Sequence, residues 1–168
     1  MTKLHFVGTT LASQAKTTVG DVADAFGRSA FNRYYYAAYL QTRDLLLQFN
    51  PEWDVSHADA PTLIETTLVA LVRKEAKRLE KKGTISHADS QRITSGVASA
   101  CMAIAEVLRV AYKVRVISDY RPQESVLFEN ETFNLDSHTE GEARAWATAV
   151  EAHKGRILKA CKELGFVY

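Results

Sequence analysis

The chain has 168 residues, the size of one globular domain, and its 21 lysines and arginines nearly balance its 20 aspartates and glutamates. Such a chain can bury a core without a metal or a disulfide, and its balanced charge excludes a uniformly basic nucleic-acid binder. Cys101 and Cys161 lack the spacing of a zinc site, so we expect free core thiols and neither a metal nor another cofactor. No run of 18 apolar residues occurs, and the first 20 residues lack the apolar run of a signal peptide, which predicts a soluble, cytoplasmic protein without a membrane partner.

Apolar residues recur at helical spacing along most of the chain. This spacing predicts a first helix over Lys3–Lys16 and a second over Arg28–Asn50, which begins after Gly27 and ends before Pro51. The second helix is apolar around most of its circumference, so we expect it to be central, with neighbours on several sides. Its narrow polar strip opens with Arg33.

A third helix is predicted from Asp59, with Pro61 in its first turn, to Gly83. Its last two turns are rich in cations, namely Lys74, Lys77, Arg78, Lys81 and Lys82. These cations have two interpretations. They form a phosphate-binding patch, or they are a solvated helix end that suits the negative end of the helix dipole, with Glu75 and Glu80 interleaved.

Ser86 and Asp89 predict the start of a fourth helix that continues to about Ile117. Arg115 continues the apolar face of this helix, so its guanidinium must pair with a carboxylate or open onto a polar site. Residues 118–138 lack any periodicity, which predicts a long polar loop.

Thr139 and Glu142 form a capping-box pair that predicts the start of a last helix, which stops at Gly165. No strand pattern stands out anywhere in the sequence. The fold class predicted is therefore all-α: a single-domain, up-and-down bundle of about five helices.

Two segments of the chain resemble the HEPN superfamily. The first, SAFNRYYYAAYLQTRDLL, covers Ser29–Leu46, and the second, RVISDYR, covers Arg115–Arg121 about seventy residues later. In HEPN proteins an Arg-x-Tyr-Tyr-Ala stretch lies on an early long helix and an Arg-x-x-x-Asp-Tyr stretch at the end of a later one. The resemblance implies a four- or five-helix prokaryotic module, often from a toxin–antitoxin or antiviral defence locus, and commonly a homodimer.

The resemblance also implies binding of RNA or a nucleotide, and in many members metal-independent cleavage of RNA, with a cognate antitoxin or a larger defence protein as partner. The usual nuclease signature, an arginine followed five to seven residues later by a histidine, is missing here. We expect any chemistry to rest on Arg115, Asp119 and Tyr120, although a tyrosine hydroxyl is a weak base at neutral pH.

Ligand binding is assigned to Arg33, Tyr36 and Arg121, since guanidiniums grip phosphate and aromatic rings stack on bases. Arg33 and Arg115 are expected to share a polar cleft. Two alternatives stay open. The module is a non-catalytic HEPN adaptor or scaffold that binds a partner protein, or these side chains are structural, with Arg115 paired to Asp119 and Arg33 to Asp44 or another carboxylate.

Overall fold

The computed structural model describes residues 2–166. Its helices are α1 (Lys3–Thr17), α2 (Gly20–Phe49), α3 (Ala60–Thr62), α4 (Val69–Lys81), α5 (His87–Tyr120) and α6 (Glu140–Glu163). A π-helical stretch, Leu63–Leu68, joins α3 to α4 without a break, so the described chain has five separate helical segments. The prediction of an all-α helical bundle is confirmed.

The chain divides into two compact units. The first comprises the residues up to Gln41 together with Leu108–Ala149, and the second comprises Thr42–Val107 together with the residues from 150 onward. The long helices α2, α5 and α6 contribute residues to both units.

The core of the first unit is built around aromatic side chains. Tyr34, Tyr35 and Phe31 of α2 are fully buried, and the ring of Phe31 meets that of Phe133 edge-on at 5.8 Å between centroids. Gly8 of α1 allows close packing here, because a Cβ atom on it would lie 2.8 Å from the ring of Tyr34. A larger residue at position 8 would therefore collide with a side chain that has no room to move.

The core of the second unit is aliphatic. Its fully buried members include Leu45, Leu46, Ile64, Leu68, Ile104 and Ile157. Cys101 and Cys161 are buried free thiols, as predicted, and burial raises the pKa of the Cys101 thiol to about 12. A surface ion pair, Arg92 Nη2 to Glu163 Oε2 at 2.6 Å, joins α5 to the end of α6 within this unit.

The predicted start of the second helix was wrong, because α2 begins at Gly20 and runs through Gly27. Gly27 does not break the helix. A Cβ atom there would lie 3.1 Å from Val126 and 3.5 Å from Phe133, so this glycine lets the segment after α5 pack against the helix.

The predicted long loop over residues 118–138 is also corrected. Helix α5 continues to Tyr120, and a small antiparallel sheet follows, with strands β1 (Leu127–Glu129), β2 (Thr132–Leu135) and β3 (His138–Thr139) in that order. Two-residue turns join the strands, and Asn130 and Asp136 take positive φ in them, at 54° and 55°. Asn and Asp tolerate this conformation better than most residues, which explains how so short a segment folds back twice.

Both predicted helix caps are present. The amide of Asp89 donates to Ser86 Oγ at 3.0 Å. The capping box of α6 is complete, since Glu142 N donates to Thr139 Oγ1 at 3.1 Å and Thr139 N to Glu142 Oε2 at 2.8 Å.

Helix α5 is long and apolar enough, by length and composition alone, to cross a membrane. The buried core helix of a soluble protein passes the same test, and one face of α5 is buried from Ile93 to Val114. Localisation therefore stays a prediction.

Candidate anion-binding site

Arg115 lies on the last turns of α5, at the edge of the buried face of that helix. Its side chain is only 16% exposed, and its guanidinium carbon lies 5.1 Å from the centre of the Tyr120 ring. The Tyr120 residue itself is 66% exposed. Burial alone would lower the pKa of Arg115, but contacts with the hydroxyls of Tyr120 and Tyr36 and the charge of Asp119 raise it. A permanent cation thus lies behind an aromatic ring that faces solvent.

Asp119 holds Arg115 from one side. Arg115 Nε is 2.9 Å from Asp119 Oδ2, one helical turn along, although the N–H is not aimed at that oxygen, so the contact is an ion pair rather than a hydrogen bond. The carboxylate is also held by Asn32 of α2, whose Nδ2 donates to Oδ1 at 2.7 Å and to Oδ2 at 2.9 Å. Asp119 therefore connects α2 to α5 within the first unit.

Tyr36 links the two predicted arginines. Its ring lies 5.9 Å from the guanidinium carbon of Arg33, and its hydroxyl interacts with Arg115. Arg33 and Arg115 thus both flank Tyr36, as a shared cleft would require. The structure gives no direct contact between the two arginines among the described residues.

Arg121 lies apart from this group. Its Nη1 donates to Glu124 Oε1 at 3.1 Å, and it lines a pocket of about 290 Å³ together with Tyr112, Lys113 and Asp136. The contacts of Arg121 do not join it to the cluster of Arg115, Asp119, Tyr120, Asn32, Tyr36 and Arg33, which we call the Arg115 cluster.

Arg28 was not predicted, and it organises the end of α5. Its guanidinium donates to the carbonyls of Ile117 at 2.9 Å, Ser118 at 3.0 Å and Arg121 at 2.9 Å, and also to that of Glu124. The last carbonyls of a helix have no intrahelical partner, and a planar guanidinium can satisfy several of them at once. The only signal in the sequence was an arginine just before the first HEPN-like segment, without anything to name its partners.

A second polar cluster was also missed, and it lies at the start of α6. The buried carboxylate of Glu140 accepts a hydrogen bond from Tyr34 Oη at 2.8 Å and lies 3.4 Å from Lys16 Nζ. Arg144 is more distant, at 3.8 Å. Burial, together with the hydrogen bond to Glu140, raises the pKa of Tyr34 well above its usual range.

Two histidines of the first unit pack against aromatic rings. His5 is buried, and its ring lies 5.6 Å from that of Tyr34. His138 packs edge-on against Trp146 at 6.4 Å. Within residues 2–166, no group of three or more His, Cys, Asp or Glu side chains is placed to hold a metal ion.

Compared with models of protein families, with curated proteins and with solved structures, the chain matches none. The HEPN resemblance therefore stays a prediction that rests on the two segments alone.

Proposed function

We propose that this protein is an RNA- or nucleotide-binding effector of the HEPN type, which binds phosphate through Arg115. The observation that carries the proposal is the contact between the guanidinium of Arg115, whose side chain is only 16% exposed, and the exposed ring of Tyr120. A guanidinium grips phosphate oxygens in pairs, and an exposed aromatic ring offers a face to a base. The two groups together fit one nucleotide.

The rest of the Arg115 cluster supports the same proposal. Asn32 and Asp119 fix the position of Arg115, and fixed donors bind an anion with less loss of entropy than mobile ones. The guanidinium carbon of Arg33 lies 5.9 Å from the centre of the Tyr36 ring, so a second cation beside the cluster is available for a neighbouring phosphate. Arg121, paired to Glu124, is the weaker assignment of the predicted set.

We keep metal-independent RNA cleavage as an outcome of the test rather than as the main proposal. Cleavage needs a group that takes the proton of the 2′-hydroxyl. Asp119 and Tyr120 are the candidates at this site, and both already contact Arg115. The alternative is a non-catalytic adaptor or scaffold in a toxin–antitoxin or antiviral defence system. Such a protein needs a binding surface but no group that takes a proton.

A homodimer is also part of the proposal, from the family resemblance. The tyrosines of α2 do not add an argument for a dimer, because Tyr34, Tyr35 and Tyr39 are buried within the chain itself.

The test compares Arg115→Ala with Tyr120→Ala and Tyr120→Phe in fluorescence anisotropy with a short single-stranded RNA. We expect Arg115→Ala to abolish binding, and Tyr120→Ala to weaken it by about 5- to 150-fold, since stacking contributes about 1–3 kcal/mol per base. Tyr120→Phe keeps the ring, so it should bind nearly as the wild type does. Arg156→Ala, an exposed arginine on α6, serves as the charge control.

The same variants separate binding from structure. Asp119 keeps its Asn32 contacts when Arg115 is removed, so we expect Arg115→Ala to cost about 1–2 kcal/mol of stability, less than for a stranded buried charge. A larger loss of stability with unchanged RNA binding would make Arg115 a structural residue and refute the proposal. If the wild type releases shorter RNA products in the presence of EDTA, the protein also cleaves RNA without a metal ion.

A further inference from the structure

Helix α4 and its C-cap residue, Lys82, carry a strip of exposed cations on the face opposite the buried side of the helix. The cations are Lys74, Lys77, Arg78, Lys81 and Lys82, and all five are exposed. Counting about 100° per residue, they fall within an arc of about 140°. The buried residues Val69, Val72 and Ala76 lie on the other side of the helix, which directs the cationic arc to solvent.

The two glutamates interleaved in the sequence do not interrupt this strip. Both fall outside the arc, and only Glu75 pairs with a cation of the strip. Glu75 forms a two-point contact with Arg78, including Arg78 Nε to Glu75 Oε2 at 2.8 Å, and Glu80 Oε1 lies 2.8 Å from His87 Nδ1. Arg78 is thereby partly neutralised. The four lysines form no ion pair among residues 2–166, although the charge of Lys82 acts on Glu75 and that of Lys77 acts on Glu80. Five cations against two carboxylates leave the strip with an excess of positive charge.

We propose that these four lysines, the α4 strip, form a contact surface for the phosphate backbone of single-stranded RNA. Lysines three and four positions apart follow one another along a helix face at about 5–6 Å, and a polynucleotide offers charges repeated at similar intervals. Flexible lysines without a pocket or an aromatic ring recognise charge and not sequence. The proposal extends the proposed function to a second surface, but it depends on other residues.

A nucleic acid fits this strip better than a lipid surface does. An amphipathic helix that binds membranes inserts its apolar face, whereas the apolar face of α4 is already buried in the protein. The remaining explanation is that the cations only stabilise the C-terminal end of α4 through the helix dipole.

The experiment measures binding of the full chain to a fluorescent oligouridylate by anisotropy, over a range of salt concentrations. Each contact between a cation and a single-strand phosphate contributes about 0.7 to the slope of log K against log salt, so four lysines give about −3. The variant Lys74→Gln, Lys77→Gln, Lys81→Gln should reduce this slope by about 2 and weaken binding about 100-fold at about 0.1 M salt. Glutamine is a good helix former, so the helix should persist, and circular dichroism checks this.

The matched control removes the same number of charges elsewhere, by Lys3→Gln, Lys159→Gln and Lys162→Gln, three exposed lysines outside α4. The proposal is overturned if the α4 variant and this control bind RNA with the same affinity. It is also overturned if the α4 variant loses thermal stability but keeps its RNA affinity, because the cations then only stabilise the end of the helix. Binding to anionic phosphatidylserine vesicles but not to RNA, lost in the α4 variant, would also overturn it.

Arg115→Ala in the same assay distinguishes the two proposals. If Arg115→Ala lowers the affinity and the α4 variant does not, the strip fails while the proposed function stands. If the α4 variant lowers the affinity and Arg115→Ala does not, the result supports the strip and shows that the Arg115 cluster is not the binding site. A wild type that does not bind oligouridylate at all overturns the strip.

Discussion

Removal of the Arg28 side chain should destabilise the protein, because this side chain joins α2 to the end of α5. The side chain is 12% exposed and donates to four main-chain carbonyls at the end of α5. The carbonyls of Ile117 and Arg121 also accept the amides of Arg121 and Glu124, respectively, so both keep a partner when the guanidinium is lost. At about 1 kcal/mol for each of the other two hydrogen bonds, Arg28→Ala should cost about 2 kcal/mol. The contact with Asp24 is long, at 3.9 Å, and adds little.

The assay is equilibrium unfolding in urea, followed by circular dichroism. Arg28→Lys should lie between the wild type and Arg28→Ala, because an ammonium keeps the charge but lacks the planar fork that reaches several carbonyls. Arg156→Ala, exposed on α6, is the control and should stay within about 0.5 kcal/mol of the wild type. Hydrogen exchange should accelerate over residues 121–126 in Arg28→Ala. The reasoning is refuted if that variant unfolds at the urea concentration of the control.

Two further predictions concern the core of the first unit and the response to pH. Gly8→Ala should lower the free energy of unfolding by about 1–2 kcal/mol, because its Cβ would press on the buried Tyr34 ring. Gly96→Ala has open space around it and should raise the free energy of unfolding by up to about 1 kcal/mol in the same urea assay. Burial lowers the pKa of His5, with the charge of Arg144 acting in the same direction, and burial also lowers the pKa of His153. Between the lowered pKa and about 6.5 the unfolded chain binds more protons than the folded one, so stability should fall as the pH drops from 7.5 to about 5.5. His5→Gln should make the stability depend less on pH. The prediction is contradicted if the stability of this variant falls with pH as steeply as that of the wild type.

The helices were largely predictable because apolar residues recur at helical spacing, and that signal comes from each segment alone. The exceptions have local causes. Gly27 suggested a helix start, but the reason for a glycine there is the approach of Val126, about a hundred residues away in sequence. The sheet was missed because the buried alternation in β2 is limited to Phe133 and Leu135, too short to stand above chance.

The candidate site was predictable only where its residues share a helix. Arg115 and Asp119 are one turn apart on α5, so their pairing follows from helical spacing. Asn32 and Arg28 lie far from their partners in sequence, at separations of 87 and about 90 residues, and helical periodicity does not reveal contacts between helices. The two residues that hold the cluster in place are therefore those that the sequence could not identify.

The geometry of Asp119 bears on whether the Arg115 cluster binds or cleaves. Both carboxylate oxygens accept a hydrogen bond from Asn32, and Arg115 lies against one of them. To take a proton from a ribose hydroxyl, Asp119 would have to turn from Asn32, and Arg115 would lose the carboxylate that holds it. The same contacts suit a residue that positions a cation for phosphate, since such a residue must stay fixed. This geometry favours a positioning role for Asp119, and it makes binding the function to test before catalysis.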